Sequence, residues 1–78
     1  MMDSDGLKSL LQTAFPEADV AVSGGAGRFE LSVVDAAFTG LSRVKRQQRV
    51  YKALGDVITS GAVHAVTIVA RTPEELSA

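Results

Sequence analysis

Arg28-Phe29-Glu30-Leu31-Ser32-Val33-Val34 is the stretch on which the fold turns. Phe29, Leu31 and Val33 alternate with Arg28, Glu30 and Ser32. A period of two means a strand with one buried and one wet face. Such a strand needs an apolar layer on one side only, so the elements around it must supply neighbours and a cover.

Upstream, Ser23-Gly24-Gly25-Ala26-Gly27 predicts a flexible loop, because its glycines permit turns that need positive φ. Before it, Val20 and Val22 alternate with small residues in a second, shorter strand. Two strands joined by a short loop pair as an antiparallel hairpin. Earlier still, Leu7, Leu10, Leu11, Ala14 and Phe15 follow helical spacing. Asp3, Ser4 and Asp5 are available to cap this helix, and Pro16 ends it by excluding the preceding residue from helical geometry.

Downstream, residues 35–40 read as a turn. Ser42 caps a long helix running to about Thr59, stopped by Gly61. Val63 to Arg71, dense in β-branched residues, predicts the third strand. Thr72-Pro73-Glu74-Glu75 reads as the start of a final stub of helix, with Thr72 and Glu75 forming a capping box. The expected order is α-β-β-α-β-(α). A right-handed crossover through the long helix makes the second and third strands parallel if they are neighbours. The fold class is α+β, a mixed three-stranded sheet covered on one face by helices.

Seventy-eight residues suffice for one domain, taken as 1–78, with a thin core. There is no cysteine, which excludes disulfides, thiolate zinc sites and a cysteine nucleophile. The acidic start, Met1-Met2-Asp3-Ser4-Asp5, lacks the apolar core of a secretory signal. No apolar run approaches the roughly 18 residues of a membrane span. The expectation is a cytoplasmic protein without a membrane partner. No G-x-S-x-G, P-loop or HExxH pattern occurs, and the carboxylates are scattered, so the chain is expected not to be an enzyme.

Charge is unevenly placed. Net charge is −1, yet five of eight basic residues, Arg43, Lys45, Arg46, Arg49 and Lys52, fall within ten positions, with no acid between Asp35 and Asp56. At about 100° per residue, Val44, Val50, Tyr51, Leu54, Val57 and Ile58 share one face of the long helix. Lys45, Arg46, Arg49 and Lys52 gather opposite. Arg43 projects toward the edge of the apolar face in the first turn, where the helix dipole disfavours a cation, so an acidic partner or a ligand is expected beside it. Four like charges forgo i,i+4 salt bridges, which points to a docking surface for phosphates or an acidic protein.

His64 is the only histidine. It opens the third strand on the face of Val66, Ile68 and Ala70. A lone histidine there is either a satisfied structural residue or one ligand of a site shared with a partner, since one imidazole cannot hold a metal alone. Gly24-Gly25-Ala26-Gly27 matches a phosphate-clamping GxxG pattern only weakly, because it joins strands rather than helices.

The run Phe38-Thr39-Gly40-Leu41-Ser42-Arg43-Val44-Lys45-Arg46-Gln47-Gln48-Arg49-Val50-Tyr51 resembles the central motif of BolA-like proteins. Val63-His64-Ala65 resembles that family's strand-opening Val-His-Ala, and Thr72-Pro73-Glu74-Glu75 its C-terminal Thr-Pro-Glu-Glu. The Lys-Arg-Gln-Gln stretch is most similar to the IbaG branch. The resemblance implies a class II KH-like fold. It implies pairing with a monothiol glutaredoxin and a shared, glutathione-bound [2Fe-2S] cluster in iron–sulfur trafficking or stress response, with His64 as a ligand. The alternative it carries is a nucleic-acid-binding transcriptional regulator, with Arg43, Lys45, Arg46, Arg49 and Lys52 on the DNA. Alone, the chain is expected to be a monomer or weak homodimer. Many BolA-like proteins carry a second histidine or a cysteine in the hairpin loop. Here that position is Arg28, and a guanidinium has no lone pair to give to iron.

Overall fold

The computed structural model describes residues 3–77. Met1, Met2 and Ala78, parts of the expected domain, lie outside the described residues. Helix α1 spans Ser4–Ala14 and is capped by Asp3, whose carboxylate accepts from the Gly6 N–H at 2.8 Å. Leu7 and Leu11 are fully buried. Strand β1 spans Asp19–Gly25 and β2 spans Arg28–Val34, the bounds that the alternation of β2 predicts. A 3-10 turn, Ala36–Phe38, leads to helix α2, Arg43–Thr59, with Ser42 as its cap. Strand β3 spans Ala65–Arg71 and helix α3 spans Pro73–Ser77.

The sheet order is β1-β2-β3, with β1 antiparallel and β3 parallel to β2. This is the expected mixed sheet. Val20, Phe29, Leu31, Val33 and Ile68 turn inward and meet Leu7, Leu11, Val50 and Leu54 from the helices. Phe38 is fully buried, its ring 5.7 Å from that of Phe15, so the 3-10 turn plugs the core beside α1. The opposite sheet face carries Arg28, Glu30, Thr67, Val69 and Arg71, all exposed.

Three local features depart from the sequence reading. The glycine-rich segment is not an open loop. Gly25 pairs with Arg28, leaving a two-residue connection of Ala26 and Gly27. Both have positive φ, 54° and 80°, as a type I′ hairpin turn demands. The third strand begins at Ala65 rather than Val63, so His64 lies just outside it. Helix α2 departs from helical angles at Gly55 (φ 25°, ψ −95°), a glycine kink in what reads as one continuous helix.

Candidate functional site

His64 sits in the bend before β3 and is exposed. It lies one residue before the strand that carries Val66, Ile68 and Ala70. The carbonyl of Gly27 accepts two hydrogen bonds, from the N–H of His64 at 2.7 Å and of Ala65 at 3.1 Å. The I′ turn thus holds the backbone at His64. A Cβ at Gly27 would come within van der Waals exclusion of the imidazole Cδ2, so the ring lies directly over this glycine. Arg28, directly across from Ala65, occupies the neighbouring position on the open sheet face.

This corner offers a metal a single nitrogen. No group of three or more His, Cys, Asp or Glu side chains comes together among the described residues. One imidazole cannot hold a metal alone, so any metal or cluster bound at this corner would need its remaining ligands from another molecule.

The basic helix divides. Lys45, Arg49 and Lys52 are exposed on the outer side of α2. Arg46, expected beside them, is turned inward, its side chain only 14% exposed. Its guanidinium donates to the carbonyls of Leu41 at 3.0 Å and Ala70 at 3.3 Å, and to Glu75 Oε1 at 2.6 Å. Gln47 Nε2 donates to the Ile68 carbonyl at 2.9 Å. Conversely Val44 and Tyr51, expected to be buried, are 65% and 44% exposed. The reason is where α2 lies. Its N-terminal half runs along the outer edge of β3, where strand carbonyls need donors more than they need apolar cover.

Glu75 also accepts from the Thr72 N–H at 2.8 Å, while Thr72 Oγ1 accepts from the Glu75 N–H at 3.2 Å. The expected capping box is present. The hydrogen bond from Arg46 and that from the Thr72 backbone lower the Glu75 carboxyl from 4.5 to about 2. The one ion pair among the described residues therefore locks α2 to α3. Arg43 is exposed and meets no carboxylate in it. The acidic neighbour expected for it is absent among the described residues.

Residues 11–75 match the BolA-like protein family. The chain belongs to the BolA-like family. It is 55% identical over 74 residues to a protein of the rpoN–murA intergenic region of Acinetobacter guillouiae, covering 95% of this chain and 89% of that one. It is 40% identical over 74 residues to the acid stress protein IbaG of Escherichia coli K12, covering 95% and 88%. The expected likeness to the IbaG branch holds. The structure of a BolA homologue from Coxiella burnetii superposes with a TM-score of 0.88 at 29% identity, covering each chain fully. No helix among the described residues of this BolA-like chain is long and apolar enough to cross a membrane.

Proposed function

We propose that this BolA-like protein is a non-enzymatic adapter that binds a monothiol glutaredoxin and contributes His64 to a shared [2Fe-2S] cluster. The observation that carries the reading is the exposed imidazole of His64, held at a sheet corner by a carbonyl that grips both its own backbone and the next residue's. A structural histidine would be packed and hydrogen-bonded through its ring. This ring rests against Gly27 on one side, is solvent-exposed, and has no hydrogen-bond partner among the described residues. Arg28 beside it supplies no ligand. Glutathione and the glutaredoxin would complete the coordination sphere.

Co-expression with the host's monothiol glutaredoxin tests this. A coloured complex should co-purify, and His64→Ala should abolish its visible absorbance while leaving the folded domain intact. An unchanged spectrum in His64→Ala would remove His64 from the cluster.

A second reading rests on a separate observation. Lys45, Arg49 and Lys52 stand exposed on one side of α2 without an ion-pair partner among the described residues. That side suits the phosphates of DNA, in keeping with a KH-like regulator. Removing one cation that neutralises a phosphate should lower the salt slope of binding by roughly one. An Arg49→Ala/Lys52→Ala variant with unaltered DNA affinity and salt slope would exclude it. Arg46 is a poor test residue, since its guanidinium is committed within the fold.

A further inference from the structure

The second feature of β3 lies at its other end. The Ala65 N–H donates to the Gly27 carbonyl and the Asp35 N–H donates to the Arg71 carbonyl. Odd-numbered residues of β3 therefore turn their peptide groups toward β2, and Val66, Ile68 and Ala70 turn theirs to the free edge. On that edge the carbonyls of Ile68 and Ala70 are taken by Gln47 and Arg46. The N–H groups of the same two residues have no acceptor among the described residues. From Ile68 to Ala70 the edge has had its acceptors taken and its donors left.

A groove of about 630 Å³ runs between this edge and the first turns of α2. Arg43, Arg46 and Arg71 line it against a single carboxylate, Glu75. The Arg46–Glu75 ion pair uses one of each, leaving Arg43 and Arg71 without an ion-pair partner among the described residues, in a chain whose net charge is −1. No aromatic side chain lines the groove. Single-stranded nucleic acid is held by base stacking on aromatic rings, so the groove lacks half of that machinery. An extended peptide needs none of it. Its carbonyls repeat along a strand with the spacing of the Ile68 and Ala70 N–H groups, and its carboxylates meet the arginines.

We propose that this groove docks an extended, acidic segment of a partner protein, added alongside β3, with Arg43 and Arg71 reading its carboxylates. It lies about six strand positions from His64, roughly 20 Å at the rise of a strand. It does not rest on the cluster reading, and one partner could engage both ends of β3.

The test is an amide NMR titration of the ¹⁵N-labelled protein with the peptide Ac-Glu-Val-Glu-Val-Glu-NH₂. Its lysine counterpart and an oligothymidylate serve as competitors of other chemistry. The acidic peptide should shift the Ile68 and Ala70 amides saturably and slow their hydrogen exchange, and the lysine peptide should not. Arg43→Ala/Arg71→Ala should weaken binding about tenfold, as expected for removing charge-assisted hydrogen bonds. Lys45→Ala/Lys52→Ala, on the outer side of α2, should leave it within about twofold. The spectra also report whether each variant is folded. Three results would overturn the proposal: no saturable shift at Ile68 and Ala70, an equal weakening in the outer-face variant, or stronger binding of the oligothymidylate to the same amides.

Discussion

Arg46 lies within the chain's most basic segment, yet its removal should be felt in stability before any binding. Its guanidinium bridges three elements: the Leu41 carbonyl before α2, the Ala70 carbonyl of β3 and the Glu75 carboxylate of α3. Arg46→Ala leaves both carbonyls short of a donor beside a largely buried position. Each such bond contributes roughly 1 kcal/mol net, the 3.3 Å bond to Ala70 somewhat less. The half-exposed ion pair adds little. Better helix propensity of alanine returns a few tenths. The expected loss is about 2 kcal/mol, which for a domain of this size lowers Tm by roughly 8–16 °C. Thermal and urea unfolding followed by circular dichroism measure it, with Arg49→Ala as the control. Arg49 reaches only the Ala37 carbonyl at 3.5 Å, so it should stay within about 0.5 kcal/mol of the parent. Arg46→Lys keeps the charge but not the planar fork, and should recover less than half of the loss. An Arg46→Ala protein as stable as Arg49→Ala would refute the tether.

The remaining predictions concern the turn and the α3 cap. Gly27→Ala places a Cβ on the His64 ring at a φ of 80°, so it should cost about 1–2 kcal/mol in urea unfolding and shift the His64 imidazole resonances. Adding His64→Ala should relieve the clash but not the φ penalty, and strict additivity in that double-mutant cycle would count against the contact. Ala26 carries a positive φ of 54° that alanine adopts at a cost, so Ala26→Asn, which makes the Asn-Gly pair favoured in I′ turns, should raise stability by about 0.5–1 kcal/mol; a loss would contradict the turn assignment. Because folding lowers the Glu75 carboxyl from 4.5 to about 2, its stabilising effect is complete above pH 4.5 and disappears as pH falls toward 2. Glu75→Gln should therefore be less stable than the parent at pH 6, with the gap closing through that window; a gap unchanged at pH 2 would show that folding does not lower this carboxyl, and a gap that widened would have the wrong sign.

Legibility tracks the kind of force at each position. The alternation of Phe29, Leu31 and Val33 locates β2, because burial on a pleated face obeys a period of two. Asp3, Ser42 and Thr72 mark helix starts correctly, since a cap depends on neighbours within three residues. What escapes the sequence is whatever tertiary neighbours decide. A helical wheel ranks faces by apolar content, so it buries Val44 and Tyr51 and exposes Arg46. The strand edge reverses this by demanding hydrogen-bond donors. The Gly24–Gly27 run is visible as a turn, but its two-residue length depends on which strand positions pair. His64 stands out by its uniqueness and its family motif. Its clamp on Gly27 joins residues far apart in the chain and has no local signature.

The parallel pairing of β3 has a temporal side. The β1–β2 hairpin closes across two residues, whereas β3 reaches β2 only after residues 35–64 have been traversed. Loop-closure entropy delays such a contact until α2 can bring the strand in. The Gly27 clamp at one end of β3 and the Gln47 and Arg46 bonds at the other are then among the last to form. The reverse excursion is a partial opening in which β3 peels away while the hairpin persists. It would dismantle the His64 corner and the arginine groove in one event. A partner gripping either end of β3 would suppress that excursion, and so would strengthen the other end's hold without touching it.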